Sequence, residues 1–388
     1  MWTPLVREPI CCRQDLPFRN RGGGKLVLSK AGRGPCRQLI EKGLTMLNRR
    51  QFVKIAGAGV LGLGLVGCGN NAAQEAPNIE AAETSSTTEA ATTAPEPTER
   101  KVAFVCSTDL TDHNTDLELG CAVEDAANEL GWSVDYQYGL GSDEVEKTIL
   151  GYIADGYGLI CVPEYLGYIV EDVAPDNPNT VFCVFEGSAE GQNIMSISTD
   201  RTQVGQLGGS LAGLLTKTGF VEIVGQSHSL PSFQERADAF CDAARKVNPS
   251  IDTASYLDYA GKNENAVSQG ANGILNAGYD VLFCDNPCVT GGAALALDSY
   301  DDCFAIGSIE DCGQYYGAKI ACSVVIDYKG MVEQAMKSVE AGKYGNEVIE
   351  GNLANGFIKI GSFSSSVDAS VQEKYLSIVD QIKAGTFM

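Results

Sequence analysis

The chain has 388 residues, with 28 Lys and Arg against 50 Asp and Glu, and its mean hydropathy is near zero. Such a composition excludes a polytopic membrane protein, and a net charge of −22 repels nucleic acid and anionic lipid surfaces, so DNA and RNA are dropped as partners. The charge is uneven: residues 1–68 hold 12 of the basic and 3 of the acidic residues, which leaves 16 basic against 47 acidic residues, a net of −31, in the remainder.

Residues 1–45 are basic, rich in Gly and Arg, and without a helical or strand period. Met46 opens "MLNRRQF", and the expectation is that translation starts there; a disordered extension over 1–45 is the alternative. Residues 46–68 then have the order of an export signal: "NRRQFVK" as a positive n-region, "IAGAGVLGLGLV" as an apolar h-region, "LVGC" as a processing site. The apolar run is marginal for a span of about 30 Å of hydrocarbon. Arg49–Arg50 with Phe52 and Lys54 resembles a twin-arginine signal, although the general secretory route stays equally open. "LVGC" resembles a lipobox, which implies acylation of Cys68 and a lipid anchor in the membrane. Residues 69–99 are rich in Ala, Thr, Glu and Pro and lack large apolar side chains, so they read as a disordered tether.

From Arg100 short apolar runs alternate with helical periods. "KVAFVC", "SVDYQY", "LICVPEY", "TVFCVFEG", "IMSIS", "VEIVG", "ASYLDY", "DVLFCD", "CFAIGS" and "IACSVVID" read as strands. Between them "LELGCAVEDAANELGW" with Gly131 as its stop, "SDEVEKTILGYIADG" capped by Ser142, "QVGQLGGSLAGLLTKTG", "FQERADAFCDAARKVN" and "YKGMVEQAMKSVEAG" read as helices. Strands apolar throughout and alternating with helices predict parallel sheets covered on both faces. So many strands exceed one doubly wound sheet and argue for two α/β lobes. Ligands in such sheets sit beyond the carboxyl ends of the strands. The polar and aromatic residues found there are Asp109, Asp112, His113, Asn114 and Asp116 after the first strand, Glu164 and Tyr165 after the third, and Glu186 after the fourth. Asp200, Tyr259, Asp285, Asn286, Glu310 and Asp311 follow later strands.

The segments "LAGLLTKTGFVEIVG" (211–225), "FCDAARKVNPSI" (240–251) and "ILNAGYDVLF" (274–283), with the lipobox ahead of them, resemble the basic membrane protein family of solute-binding lipoproteins, whose best-described members are purine nucleoside receptors of ABC transporters. The resemblance implies a type I periplasmic-binding-protein fold over 100–388: two doubly wound parallel-sheet lobes joined by a hinge. Lobe 1 would run over about 100–198 and 326–350, and lobe 2 over about 199–325 and 351–388, with crossings near Ser198–Thr199 and Ile326–Asp327. It implies a small polar solute, nucleoside-like, and an ABC permease as partner, with no cofactor; the ligand-binding residues expected from the resemblance together with the strand ends are Asp112, Asp116, Glu164, Tyr165, Glu186, Tyr259, Asp285, Asn286 and Asp311. The pocket pattern departs from the family's. Thr115 stands where an aromatic ring stacks the base, Asp116 replaces Asn, Glu186 replaces Asp, Ile309 replaces a ribose-binding Asp, and Ile326 replaces Lys. Tyr165, Tyr259 and Phe233 could restore stacking. Rival readings are a nucleoside hydrolase holding a divalent metal on Asp109, Asp112 and Asp116, and a sensory lipoprotein without a transporter.

Of the cysteines, Cys106, Cys161, Cys183, Cys284 and Cys322 fall inside apolar runs, where cysteine serves as a small hydrophobe. Cys288, Cys303 and Cys312 lie nearer loops and leave room for one disulfide. A zinc site on Cys284 and Cys288 lacks further ligands nearby. His228 in "GQSHS" has no G-x-S-x-G elbow around it, and no phosphate-binding G-x-x-x-x-G-K-[ST] loop occurs.

Overall fold

A computed structural model describes residues 99–110, 113–225, 230–258 and 263–387. Cys68, the signal and tether segments, Asp112, His228 and Tyr259 lie outside these residues. The apolar runs assemble into two six-stranded sheets. The first contains β1 (Lys101–Val105), β2 (Ser133–Gln137), β3 (Leu159–Pro163), β4 (Val181–Phe185), β5 (Ile194–Thr199) and, at its edge, β11 (Glu347–Gly351), in the order β11-β5-β4-β3-β1-β2. The second contains β6 (Phe220–Gly225), β7 (Thr253–Asp258), β8 (Val281–Cys284), β9 (Phe304–Ile309), β10 (Ile320–Ile326) and β12 (Ile358–Ile360), in the order β12-β10-β9-β8-β6-β7. All neighbours run parallel except β12, which pairs antiparallel with β10. Both sheets therefore repeat one doubly wound order, and each reverses direction beside its first strand. That reversal opens a crevice between the loops after β1 and β3, and another between those after β6 and β8.

Burial explains why the apolar runs become strands. Every residue of β3 and β4 is buried, as expected for strands with helices on both faces. The covering helices of the first lobe are α1 (Thr115–Leu130), α2 (Ser142–Ala154) and α3 (Gly167–Val173); those of the second are α4 (Arg201–Leu215), α5 (Pro231–Val247), α6 (Glu264–Asn276), α7 (Pro287–Leu297) and the single turn α8 (Gly313–Tyr316). α1 ends at Gly131, whose φ of +72° suits a left-handed cap. α2 is capped one residue before the expected Ser142: Gly141 takes the cap, and its N–H donates to the Glu144 carboxylate at 2.9 Å. α9 (Tyr328–Glu340) returns to the first lobe, where Glu340 accepts from the Trp132 indole at 2.9 Å, and α10 (Ala369–Lys383) packs on α4. The chain passes between the sheets three times: from β5 into α4, from β10 into α9, and from β11 to β12.

One sequence feature sets the position of α5. Gly205, Gly209 and Gly213 stand four residues apart on α4, and a Cβ on them would lie 2.2 Å from the Arg236 carbonyl oxygen, 2.1 Å from that of Phe240 and 2.8 Å from that of Ala244. Only glycine lets the two helix backbones approach this closely. The result seats the N-terminal turns of α5, with Ser232, Phe233 and Arg236, against the strand tips. All ten cysteines among the described residues are free thiols, so the one disulfide for which Cys288, Cys303 and Cys312 left room is not made. Cys288 and Cys312 are wholly buried and pack as small hydrophobes within the second lobe's core. No helix among the described residues is long and apolar enough to cross a membrane.

Candidate functional site

Between the lobes lies a cavity of about 500 Å³, lined from one side by the loops after β1, β3 and β4 and from the other by the start of α5 and the turn after β8. These are the loops that flank the two reversal points, which is why residues distant in sequence converge there. Asp109, Asp116, Glu164, Glu186 and Asp285 supply carboxyl groups, Arg236 supplies the guanidinium among the lining residues, and Tyr165, Phe185, Phe233 and Tyr328 supply rings. A larger hollow of about 740 Å³ opens at the other end of the first lobe, under Ala174–Pro178 and Gly345. There the Asn193 amide already donates to the carbonyls of Ala174, Asn177 and Thr180, and one lobe alone forms the walls. Convergence of polar groups from both lobes singles out the first cavity.

Asp116 is 6 % exposed. Its Oδ2 accepts hydrogen bonds from the Thr108 hydroxyl and the Tyr165 hydroxyl, both at 2.5 Å, while none of the described residues donates to Oδ1. Burial pushes its carboxyl up, and the two hydroxyl donors work against that shift. Burial, and then the Asp116 charge, also hold the Tyr165 hydroxyl well above its ordinary range, so it remains a donor; the same oxygen accepts from the Ser107 N–H at 3.2 Å. Asn114 places this cluster at the start of α1 by capping the Leu117 N–H at 2.9 Å.

Glu164 Oε2 accepts from the Ser232 hydroxyl at 2.5 Å, a bond that joins the lobes across the cavity. Burial raises its carboxyl, opposed first by that hydroxyl and then by Arg201. A second bridge runs from the Cys288 N–H to the His113 carbonyl at 3.0 Å. Glu186 faces the cavity, but the crossing segments occupy it. Oε1 accepts from the Tyr328 hydroxyl at 2.9 Å, Oε2 from Thr199 Oγ1 at 3.1 Å and Arg201 Nε at 3.4 Å, and its carbonyl from Arg201 Nη2 at 2.5 Å. It fastens the crossing to the first sheet.

In the second lobe Arg236, 8 % exposed, reaches Asp285 Oδ1 through Nη2 at 3.2 Å and the Ser232 carbonyl through Nε at 3.1 Å. Burial raises the Asp285 carboxyl and Arg236 opposes that rise. Asn286 lines the cavity while its Oδ1 caps α7 through the Val289 N–H at 3.0 Å. Asp311 is not brought to the cavity. It follows β9, one strand beyond the reversal, and its carboxylate accepts from the Ser362 N–H at 3.1 Å and hydroxyl at 2.8 Å. Ile309 and Ile326 are buried in the core and do not line the cavity either. Of the ring residues expected to stack, Tyr165 and Phe233 are in place. Sequence reasoning missed Thr108, Ser232, Arg236 and Tyr328. The signal for Arg236 lay in the glycine spacing of α4, which brings its helix to the strand tips. Among the described residues no three His, Cys, Asp or Glu side chains converge to hold a metal ion.

Comparison with known proteins agrees with this architecture. A curated relative, the transcriptional activator protein med of Bacillus subtilis, is 24 % identical over 215 residues, which span 53 % of this chain and 64 % of that protein. The match thus covers less than two thirds of the relative's length. The structure of an ABC transporter solute-binding protein from Aeropyrum pernix superimposes with a TM-score of 0.63 at 15 % identity, covering 74 % of this chain and 91 % of that one. A transcriptional activator of the comK gene from Bacillus halodurans does so with a TM-score of 0.59 at 20 % identity, covering 73 % and 97 %. At these identities the structures share the fold. The sequence pattern of the family described as ABC transporter substrate-binding protein PnrA-like matches residues 101–386, and the chain belongs to that family.

Proposed function

We propose that this protein is a lipid-anchored receptor on the outer face of a cell membrane, which closes its two lobes on an uncharged polar solute of nucleoside size and delivers it to an ABC permease. Membership of a solute-binding family supports the transport role. The observation that carries the solute class is the charge of the cavity: five carboxyl groups line it with one guanidinium, Arg236, which Asp285 already engages. An anionic solute would meet like charges and displace none of them. A neutral solute can donate an N–H or O–H to Asp116 Oδ1, accept from Arg236, and lay a ring against Phe233, Phe185 or Tyr165. A volume of about 500 Å³ falls within the ~300–1,000 Å³ of small-molecule sites.

Calorimetric titration with adenosine, guanosine, inosine and their 5′-monophosphates tests the reading. The expected result is that an uncharged nucleoside binds at micromolar concentration or tighter and that its monophosphate binds at least about 100-fold more weakly, roughly 2.7 kcal/mol. A monophosphate that binds as tightly as its nucleoside refutes the assignment. A second reading, a solute sensor without a transporter, draws on the likeness to a relative named as a transcriptional activator. Capture of a permease by the solute-loaded receptor supports transport; Cys68→Ser, expected to release the protein from membranes, tests the anchor.

A further inference from the structure

The two bonds that cross between the lobes share one pattern. Ser232, buried at the second position of α5, donates its hydroxyl to Glu164 Oε2 at 2.5 Å. The Cys288 N–H, at the second position of α7, donates to the His113 carbonyl at 3.0 Å. Both donors thus belong to the first turn of a second-lobe helix, and both acceptors to loops that follow first-lobe strands. A helix start carries partial positive charge and N–H groups without intrahelical partners, so it attracts an acceptor. Leu230, the residue before α5, supplies no side-chain cap, and Pro231 has no N–H; the Glu164 carboxylate of the opposite lobe stands at this end of the helix instead. At the other bond, His113 holds a φ of +47°, in the sparsely occupied left-handed region, and so offers its carbonyl to α7.

The strand-end rule makes Glu164 a solute ligand. We propose instead that Glu164 is a positioning residue: with Ser232 it forms a clasp that holds the lobes together whether or not a solute lies between them, and so strengthens the capture of every solute by the same factor. A hydrogen bond to an ionised carboxylate is stronger than one between neutral groups, and this one exists only while the lobes meet. Parting them separates Ser232 from Glu164 and the Cys288 N–H from His113, because each pair spans the cleft. Whatever free energy the clasp gives to closure need not come from the solute, which raises apparent affinity without adding selectivity. The inference rests on the two-lobe closure of the proposed function but not on the class of solute.

The second bridge reports on the first. Exchange of the Cys288 amide hydrogen follows the parting of the lobes, and the Val289 N–H beside it, bonded within the second lobe to Asn286 Oδ1 at 3.0 Å, is the control. Both are followed by NMR on the full chain, with no solute added, for wild type, Ser232→Ala, Glu164→Ala, the double variant and Glu164→Gln. Either alanine variant should speed exchange at Cys288 about tenfold and leave Val289 within about twofold of wild type. The double variant should exchange no faster than the faster single one, because both remove the same bond. Glu164→Gln, whose amide oxygen still accepts from the hydroxyl, should recover most of the protection. Unchanged exchange at Cys288 overturns the proposal. So does equal acceleration at Val289, which marks loosening of α7 and not parting of the lobes, and so do additive effects in the double variant, which mean that the two side chains act apart. Failure here leaves the solute class standing, and failure of the nucleoside titration leaves the clasp standing.

Discussion

In the first lobe the loops after β1 and β3 present Asp116, whose Oδ1 takes no hydrogen bond from the described residues, and Glu164, bound to Ser232 from across the cavity. In the second lobe the acids at the strand tips are already engaged: Asp285 faces Arg236, and Asp311 is held by Ser362. Two sheets of the same strand order have thus diverged at their tips. The first offers acceptors to a solute, and the second offers a guanidinium and a wall. In the proposed function, recognition of donors on the solute falls to the first lobe, while the second lobe's charges are engaged by its own residues.

The comparison can be broken most severely at Asp285. Asp285→Ala removes the carboxylate paired with the buried Arg236 and leaves only Glu186 and Glu164 to act on it; loss of one partner of such a pair costs about 3–5 kcal/mol, and urea unfolding should show a loss toward the lower end of that range. Gly209→Val should come next. A Cβ there would lie 2.1 Å from the Phe240 carbonyl oxygen, so α5 must shift, at about 1–3 kcal/mol for overpacking. Solute affinity should fall with stability, because α5 carries Arg236 and Ser232. Asp116→Asn sharpens the contrast: the amide oxygen can still accept from Thr108 and Tyr165, so unfolding should change by no more than about 1 kcal/mol. Its NH2 group, however, meets a solute donor with another donor, and calorimetry should register about tenfold weaker binding, roughly 1.4 kcal/mol. The smallest effect is expected at Asp311→Ala, which loses bonds at a partly exposed loop worth about 0.5–1 kcal/mol. Solute affinity should stay within about twofold, well under 1 kcal/mol; a larger drop would return Asp311 to the site.

Much of the fold was legible in the sequence because the buried strands are apolar on most residues, and throughout in β3, β4 and β8, and the helices between them are periodic. The edge strand β11, "EVIEG", alternates buried and exposed residues and carries two glutamates, so it lacked that signature. β12 is only three residues long, too short for any period to register. At the cavity, the rule that ligands lie beyond strand ends picked out Asp116, Glu164, Tyr165, Asp285 and Asn286, all of which line it. It could not separate strands beside the reversal from the strand after it, and so it swept in Asp311. Glu186 lines the cavity, yet its carboxylate is taken by Thr199, Arg201 and Tyr328, partners that only the crossing of the chain brings near. Arg236 was invisible to the rule because it sits inside a helix, and its position depends on the helix-to-helix distance allowed by three glycines.

The most direct test of the account is a native mass spectrum of the protein purified without refolding, taken for wild type and for Asp116→Ala. The account predicts one stoichiometric, uncharged polar solute on wild type and its loss from the variant. A phosphorylated or otherwise anionic adduct, or a solute retained equally by the variant, would contradict it.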